Sequence, residues 1–476
     1  MGGVLQRNKK SKFLEHTCQS HERSVNCCAI DKTGELILTG SDDLKAIVWS
    51  VSTGEPKRIL EGHKGYICCC DFWFNKKKQE TQAVTASADR TIKIWRIADG
   101  VCQLSIEHHS HVMTKITINN DLIFSSSYDK TVAMANLRTG SLIRKFEGHQ
   151  HSVTCFNLLF DDPAETAEKN FLTTETCGDS RDFLITGSSD WTARIWAIKS
   201  GVYLRTFQGH TGPVICMALD VASRSLFTGS SDHSIKKWDI SSGEFIQSMK
   251  GHSSSITQIA LKNKILLSTS ADWSVRVWSA DYGDFIKTFE NGHEHMVSTM
   301  KISDGVVVTG DGNGVIKVFD PRVLHAKATL LGHKYAINCL YTFPGGIIIS
   351  GSYDSSVRIW NIKTVLEKLD PVEAEDPKLA YDDDEEYFDG SRKNSLRTPS
   401  PQFDDTYDTD EDEFLRVQNE KEQIRRRSQV DDMLQSSVRQ IVEYNLIDEI
   451  TDTVLNQIKK KDSTKKKVEV LPELLE

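Results

Sequence analysis

The sequence has little of what most function classes require. No run approaches the ~20 consecutive apolar residues of a membrane span, and no apolar signal-peptide core follows the N-terminus. It holds no G-x-x-x-x-G-K-[ST] for nucleotide, no C-x-x-C and no G-x-S-x-G. Cationic excess is missing too: 58 Lys+Arg face 67 Asp+Glu in 476 residues. The 11 cysteines are an odd number, and Cys27-Cys28 and Cys68-Cys69-Cys70 sit in apolar stretches. Neighbours on a strand point to opposite faces, so these read as small reduced core residues and not as a disulfide framework. Secreted, collagenous and transmembrane classes are excluded on these grounds.

Charge is unevenly spread. Residues 364–476 carry 17 basic and 30 acidic groups, whereas residues 1–363 are near neutral, with 41 and 37. Nearly all of the imbalance lies in 370–414. A near-neutral body argues against nucleic-acid binding, which needs a basic footprint. An acidic stretch repels itself and reads as a solvated linker.

A repeat is present. Ser/Thr, three residues, an acid, five residues and Trp recur as Thr39, Asp43, Trp49; Thr85, Asp89, Trp95; Thr186, Asp190, Trp196; Thr228, Asp232, Trp238; Ser268, Asp272, Trp278; and Ser350, Asp354, Trp360. Two degraded copies fill the gaps: Ser125 and Asp129 with Ala135 in the Trp slot, and Thr309 and Asn313 with Phe319. Upstream of each lies a His: His21, His63, His149, His210, His252, His293 and His333, with the cluster His108, His109, His111 before the third copy. The period of about forty residues identifies an array of similar units. Each unit reads as strands, since period-2 segments such as "SVNCCAI", "ELILTGS" and "AIVWSV" are split by turn-rich "DKTGE" and "STGE". Three or four strands without an intervening helix cannot bury both faces alone, so copies must stack, and closing the stack into a ring leaves only short edges.

The spacing has a physical reason. A buried Asp must be hydrogen-bonded. A loop His can reach it, and the Ser/Thr hydroxyl can accept from the Trp indole N–H while donating to the His. One His and one acid per unit then act as fasteners that never converge on a catalytic site. The expectation is no enzyme, no cofactor and no metal, the His108–His111 cluster included.

These residues resemble the WD-repeat β-propeller family, whose Gly-His opening, Ser-x-Asp turn and closing Trp they reproduce over roughly residues 12–363. Within it, "LIFSSSYDKT", "GHTGPVICMALD" and "INCL" resemble the WD repeat-containing protein 86 group. The resemblance implies an all-β, eight-bladed propeller, with seven blades as the alternative, whose last blade is completed by an N-terminal strand. "KFLEHTCQSH" has the layout of "PKRILEGHKG" before the second unit, so Lys12–Cys18 is the candidate clasp. The implied role is a non-catalytic intracellular scaffold binding other proteins and no nucleic acid. The alternatives are a substrate receptor of a cullin-type ubiquitin ligase, on the weak docking-box likeness of "WNIK" (Trp360–Lys363), and a lipid-anchored adaptor.

Positions that break the repeat's habit are candidate protein contacts. The residue after each acid slot lies at a turn tip, and here the series includes Arg90, Lys130, Trp191, His233 and Trp273; Tyr128 and Tyr353 precede the acid. Trp, Tyr and Arg are the types enriched in binding hot spots. The alternative is that both Trp side chains fold back on neighbouring blades. On the other side, insertion 161–181 and Lys76–Lys78 extend loops, with disorder the expectation.

The ends suggest modification. A basic arm (1–11) carries Gly2 close to an N-myristoylation signal, but Gln6 stands where Ser/Thr is wanted, so membrane contact is expected only if Gly2 is acylated. A disordered acidic linker (364–412) flanks Ser395, Thr398 and Ser400, and Ser428 follows "RRR"; all four are candidate phosphosites. From 413 to 461, Val430, Leu434, Val438, Ile441 and Val442, then Ile447, Ile450, Val454 and Ile458, recur at helical spacing. Such a stripe could dock on the propeller, self-associate or bind a partner. A disordered tail (462–476) closes the chain. The expected compartment is cytoplasmic, with membrane-peripheral or nuclear fractions as variants.

Overall fold

The computed structural model describes residues 12–160, 182–289, 292–321, 323 and 325–367. Among the described residues, strands form eight four-stranded antiparallel sheets, and so eight blades, not seven. Blade one is built from β2 (Val25–Ile30), β3 (Leu36–Ser41), β4 (Ala46–Ser50) and β5 (Pro56–Leu60), and the later blades repeat this order a, b, c, d. The innermost strand of each blade packs against that of the next, and the inner strand of blade eight, Ile337–Phe343, returns against β2. The ring is closed.

Alternation alone would leave each sheet with an exposed face. Strands b and c are buried on both sides: β4 reads buried at all five positions. Such strands need a neighbour on either side, which only stacked blades supply. The core is therefore partitioned into inter-blade clusters, each mixing residues of two successive sheets, as where Val25, Ile37 and Trp49 of blade one pack with Ile349, Val357 and Ile359 of blade eight.

Closure is held from outside and inside. On the outside, β1 (Leu14–Cys18) pairs antiparallel with Val357–Asn361 and is the fourth strand of blade eight. The Asn361 amide donates to Glu15 Oε1 at 2.8 Å. On the inside, the second residue of six of the eight inner strands reaches the next blade. The Thr114 hydroxyl donates to the Val153 carbonyl at 2.6 Å, Thr257 to Val297 at 2.7 Å, and Asn26 Nδ2 to Ile67 at 3.1 Å. At the seam, Asn338 Nδ2 donates to the Val25 carbonyl at 3.0 Å and to Ser24 Oγ at 2.8 Å. A four-residue helix, α1 (Lys363–Leu366), follows the last strand and buries Val365 against the seventh- and eighth-blade core.

One expectation changes on folding. The Lys76–Lys78 stretch is no loose loop but a tight turn, Lys78 N–H donating to the Asn75 carbonyl at 3.2 Å, between long strands Ile67–Asn75 and Glu80–Ser87. Insertion 161–181 lies outside the described residues. Among those described, no helix is long and apolar enough to cross a membrane.

Candidate protein-interaction surface

The turn between strands b and c is shaped by the acid that begins it. In blade one, Asp43 Oδ1 accepts the Lys45 N–H at 2.9 Å, and Ser41 Oγ accepts the Asp43 N–H at 3.1 Å. Pinning the residues on both sides forces the one between, Leu44, into the left-handed region at φ 72°. The same happens at Arg90, Lys130, Trp191, His233, Trp273 and Ser355, with φ between 65° and 73°, and at Gly314. This conformation is uncommon for any residue with a Cβ and an outlier for a bulky one. Trp191 and Trp273 are therefore held at a backbone cost, and they remain 51% and 42% exposed. Both stay exposed, although the Trp273 ring meets His295 in the loop entering the next blade.

Beneath that surface lies the polar network. In blade five, His210 Nδ1 is 2.7 Å from Asp232 Oδ2, His210 Nε2 is 2.8 Å from Thr228 Oγ1, and the Trp238 indole donates to that hydroxyl at 2.8 Å. Nδ1–H donates to the carboxylate, Nε2 accepts from the hydroxyl, and the hydroxyl accepts from the indole. The same three links recur for His21, Thr39, Asp43 and Trp49, for the sets closing on Trp95, Trp196 and Trp278, and for His333, Ser350, Asp354 and Trp360. Burial alone would raise these carboxyls; hydrogen bonds from the His, the turn hydroxyl and backbone N–H groups outweigh it and hold Asp89, Asp190, Asp232, Asp272 and Asp354 well below the ordinary range.

The degraded copies solve the same problem differently. In blade three, His109 alone of the cluster takes the fastening role, at 2.8 Å from Asp129 and 2.9 Å from Ser125 Oγ. His108 Nε2 meets the Gly140 carbonyl at 2.8 Å, and His111 lies edge-on to Tyr128. In blade seven, Asn313 is not the partner of His293. Asp311 is, at 2.8 Å, while its other oxygen accepts the Asn313 and Val315 N–H groups. Asp311 stands where the other seven blades have Ser. Two residues along a strand is one side-chain period, so its carboxylate faces the same way and does the work of both Ser and Asp. That lone Asp in a column of Ser was the available signal.

The candidate contacts share one face, all on b–c turns, with Tyr128 and Lys130 on the same one, and three carry an aromatic companion from the loop entering an inner strand. Tyr128 meets His111 at 6.3 Å, Trp273 meets His295 at 6.2 Å, and Tyr353 meets Tyr335 at 6.3 Å. Tyr335 and Tyr353 are both prominently exposed. The repeat pattern passed over His295 and Tyr335 because these loop positions carry no fixed residue type. Gly2, Ser395, Thr398, Ser400, Ser428 and the helical pattern of 413–461 lie outside the described residues. Among the described residues, no group of three or more His, Cys, Asp or Glu is arranged to hold a metal ion.

Comparison with known proteins places this geometry. The model of the WD domain, G-beta repeat family matches residues 12–50, 54–96, 140–197, 201–239, 243–279 and 325–361. The unmatched intervals contain the first three strands of blades three and seven, the copies with Ala135 and Phe319 in the Trp slot. The chain is 25% identical to autophagy-related protein 16 of Arabidopsis thaliana over 39% of its own length and 41% of that protein's. It is 27% identical to a guanine nucleotide-binding protein subunit beta of the same plant, over 43% and 53%. It thus spans about half the length of the curated relatives it matches. Among solved structures, the computationally designed Ika8 protein superposes with a TM-score of 0.62 at 26% identity, over 74% of this chain and all of that one. Saccharomyces cerevisiae Sqt1 gives 0.63 at 14% identity over 74% and 99%, a likeness of fold.

Proposed function

Because the chain belongs to the WD domain, G-beta repeat family, whose propellers generally mediate protein–protein interaction, we propose that it is a non-catalytic scaffold that recruits other proteins on the face bearing the b–c turns. The observation that carries this reading is the pair Trp191 and Trp273. A turn tip in the left-handed region favours Gly, as at Gly314, yet two of these tips hold the largest side chain there is, exposed. Strained positions concentrate at functional sites, and exposed Trp, Tyr and Arg are what a partner's pocket would take. Within the family, we propose a likeness to the WD repeat-containing protein 86 group, on the three segments quoted above.

Affinity purification of the wild type beside a Trp191→Ala/Trp273→Ala double variant tests the reading. Loss of most partners with an unchanged melting temperature is expected; identical partner sets would remove this face from consideration. Recovery of cullin-adaptor subunits would favour the ligase-receptor reading instead. Two side chains of the tetrapeptide behind that reading are already engaged, however: Trp360 is buried on Ser350 and Asn361 holds Glu15 at the surface.

A further inference from the structure

Eight of the ten described cysteines, all unpaired, lie on inner strands. Their grouping follows from a register rule of the ring. The third residue of each inner strand lies over the fourth residue of the next. Lys115, third in Met113–Asn119, donates from Nζ to the carbonyl of Phe156, fourth in Val153–Leu159, at 2.7 Å, and sits over its ring. Gln258, third in Ile256–Lys262, accepts at 2.7 Å the N–H of Met300, fourth in Val297–Ser303.

Applied at the seam, the rule sets Cys339, third in Ile337–Phe343, over Cys28, fourth in β2, and sets Cys27, third in β2, over Cys70, fourth in Ile67–Asn75. Within each pair the two thiols are close enough to act on each other electrostatically. Cys28 and Cys339 pack against one shared set of buried residues, Val25, Ile349 and Val357 among them. Approach at this seam is so close that a Cβ on Gly351 would lie 2.6 Å from Cys339 Sγ and 2.7 Å from Val25 Cγ1.

We propose that these thiols form an oxidative cross-linking site at which hydrogen peroxide joins Cys28 to Cys339 and so ties the last blade covalently to the first. Peroxide replaces the S–H bond of one thiol with S–OH, releasing one water. The second sulfur attacks that sulfenic sulfur, expelling the OH group, which leaves with the second thiol's proton as another water. Two thiols and one peroxide give one disulfide and two waters, two electrons passing from sulfur to peroxide. Both residues are half-buried, and the neighbouring Cys28 thiol together with burial holds the Cys339 thiol well above its ordinary value. Little thiolate exists near neutral pH, so the reaction is slow and quickens as pH rises.

The full-length protein, incubated with hydrogen peroxide, alkylated and digested without reductant, is the test. The expected product is a dithiothreitol-sensitive peptide pair joined through Cys339, with fragment ions assigning its partner as Cys28 and not Cys27. Its yield should grow with pH. The melting temperature should rise on oxidation and fall back on reduction in the wild type, and should not respond in Cys339→Ala. Should that variant fold poorly, the wild-type peptide map decides alone. Recovery of Cys28 and Cys339 alkylated, as separate sulfinic acids, or bridged only to other cysteines would overturn the proposal.

Discussion

At the scale of single residues, the recurrent His and Asp are fasteners whose value lies in complete satisfaction. Asp232 accepts from His210, from the Thr211 and Ser234 N–H groups and from the Ser234 hydroxyl. Asp232→Ala would strand these donors in a nearly closed site, and the expected destabilisation is roughly 1–3 kcal/mol, read by denaturant titration. Asp311→Asn should weaken blade seven, whereas Asn313→Ala, whose side chain is not the partner of His293, should cost well under half as much; equal costs would return Asn313 to the network. The acid dependence follows from the same bonds. Folded carboxyls held below their ordinary value of 3.8, Asp129 at about 2, contribute stability that is complete above that value and lost as pH falls through the folded value. The melting temperature should therefore drop steeply between about pH 4 and pH 2, and the drop should shrink in Asp232→Ala. These tetrads were legible in the sequence because each fastener needs a fixed residue type at a fixed spacing. Asp311 was not, because there the chemistry moved by one strand period while the template stayed put.

At the scale of elements, the b–c turn and the clasp carry different kinds of information. The turn's conformation is dictated by its Asp and is indifferent to the residue at its tip, so the tip is free to serve something other than folding. Replacing Trp191 with Gly removes the strain of a bulky left-handed residue, roughly 1–3 kcal/mol, against the ~0.5–1 kcal/mol entropy cost of Gly. Trp191→Gly should leave the melting temperature unchanged or higher while partner recovery falls. A marked loss of stability would show instead that the indole braces the neighbouring blade. Strand boundaries, and the tight Lys76–Lys78 turn, were harder to read from the chain. Asn75 is a turn former, but the three Lys and the left-handed Gln79 (φ 53°) that follow it are not residues that usually advertise a hairpin. The candidate contacts were visible only as departures from the repeat, and their companions His295 and Tyr335 not at all, since packing across a loop leaves no spacing to detect.

At the scale of the whole molecule, a ring differs from a stack in having no end from which to fray, and that property resides in one seam. Two dissimilar devices hold it: the β1 clasp on the outside and the Asn338 bonds to Val25 and Ser24 within. Because both act on the interface of blades eight and one, their contributions should not be independent. Removing residues 1–20 exposes the edge strand Val357–Asn361 and should lower the melting temperature by several degrees. Asn338→Ala alone should cost about 1 kcal/mol, the worth of a hydrogen bond. If the clasp is what keeps the two blades in register, the Asn338 bonds have little left to hold once it is gone, so the combined variant should be less destabilised than the sum, by more than the ~0.5 kcal/mol within which independent sites add. Strict additivity in a double-mutant cycle would mean that the inner strands stay joined without the clasp. The unfolding transition offers a second readout of the same idea: the intact ring should melt in one step, and the doubly opened ring should broaden as terminal blades fray ahead of the middle ones, as in linear repeat arrays.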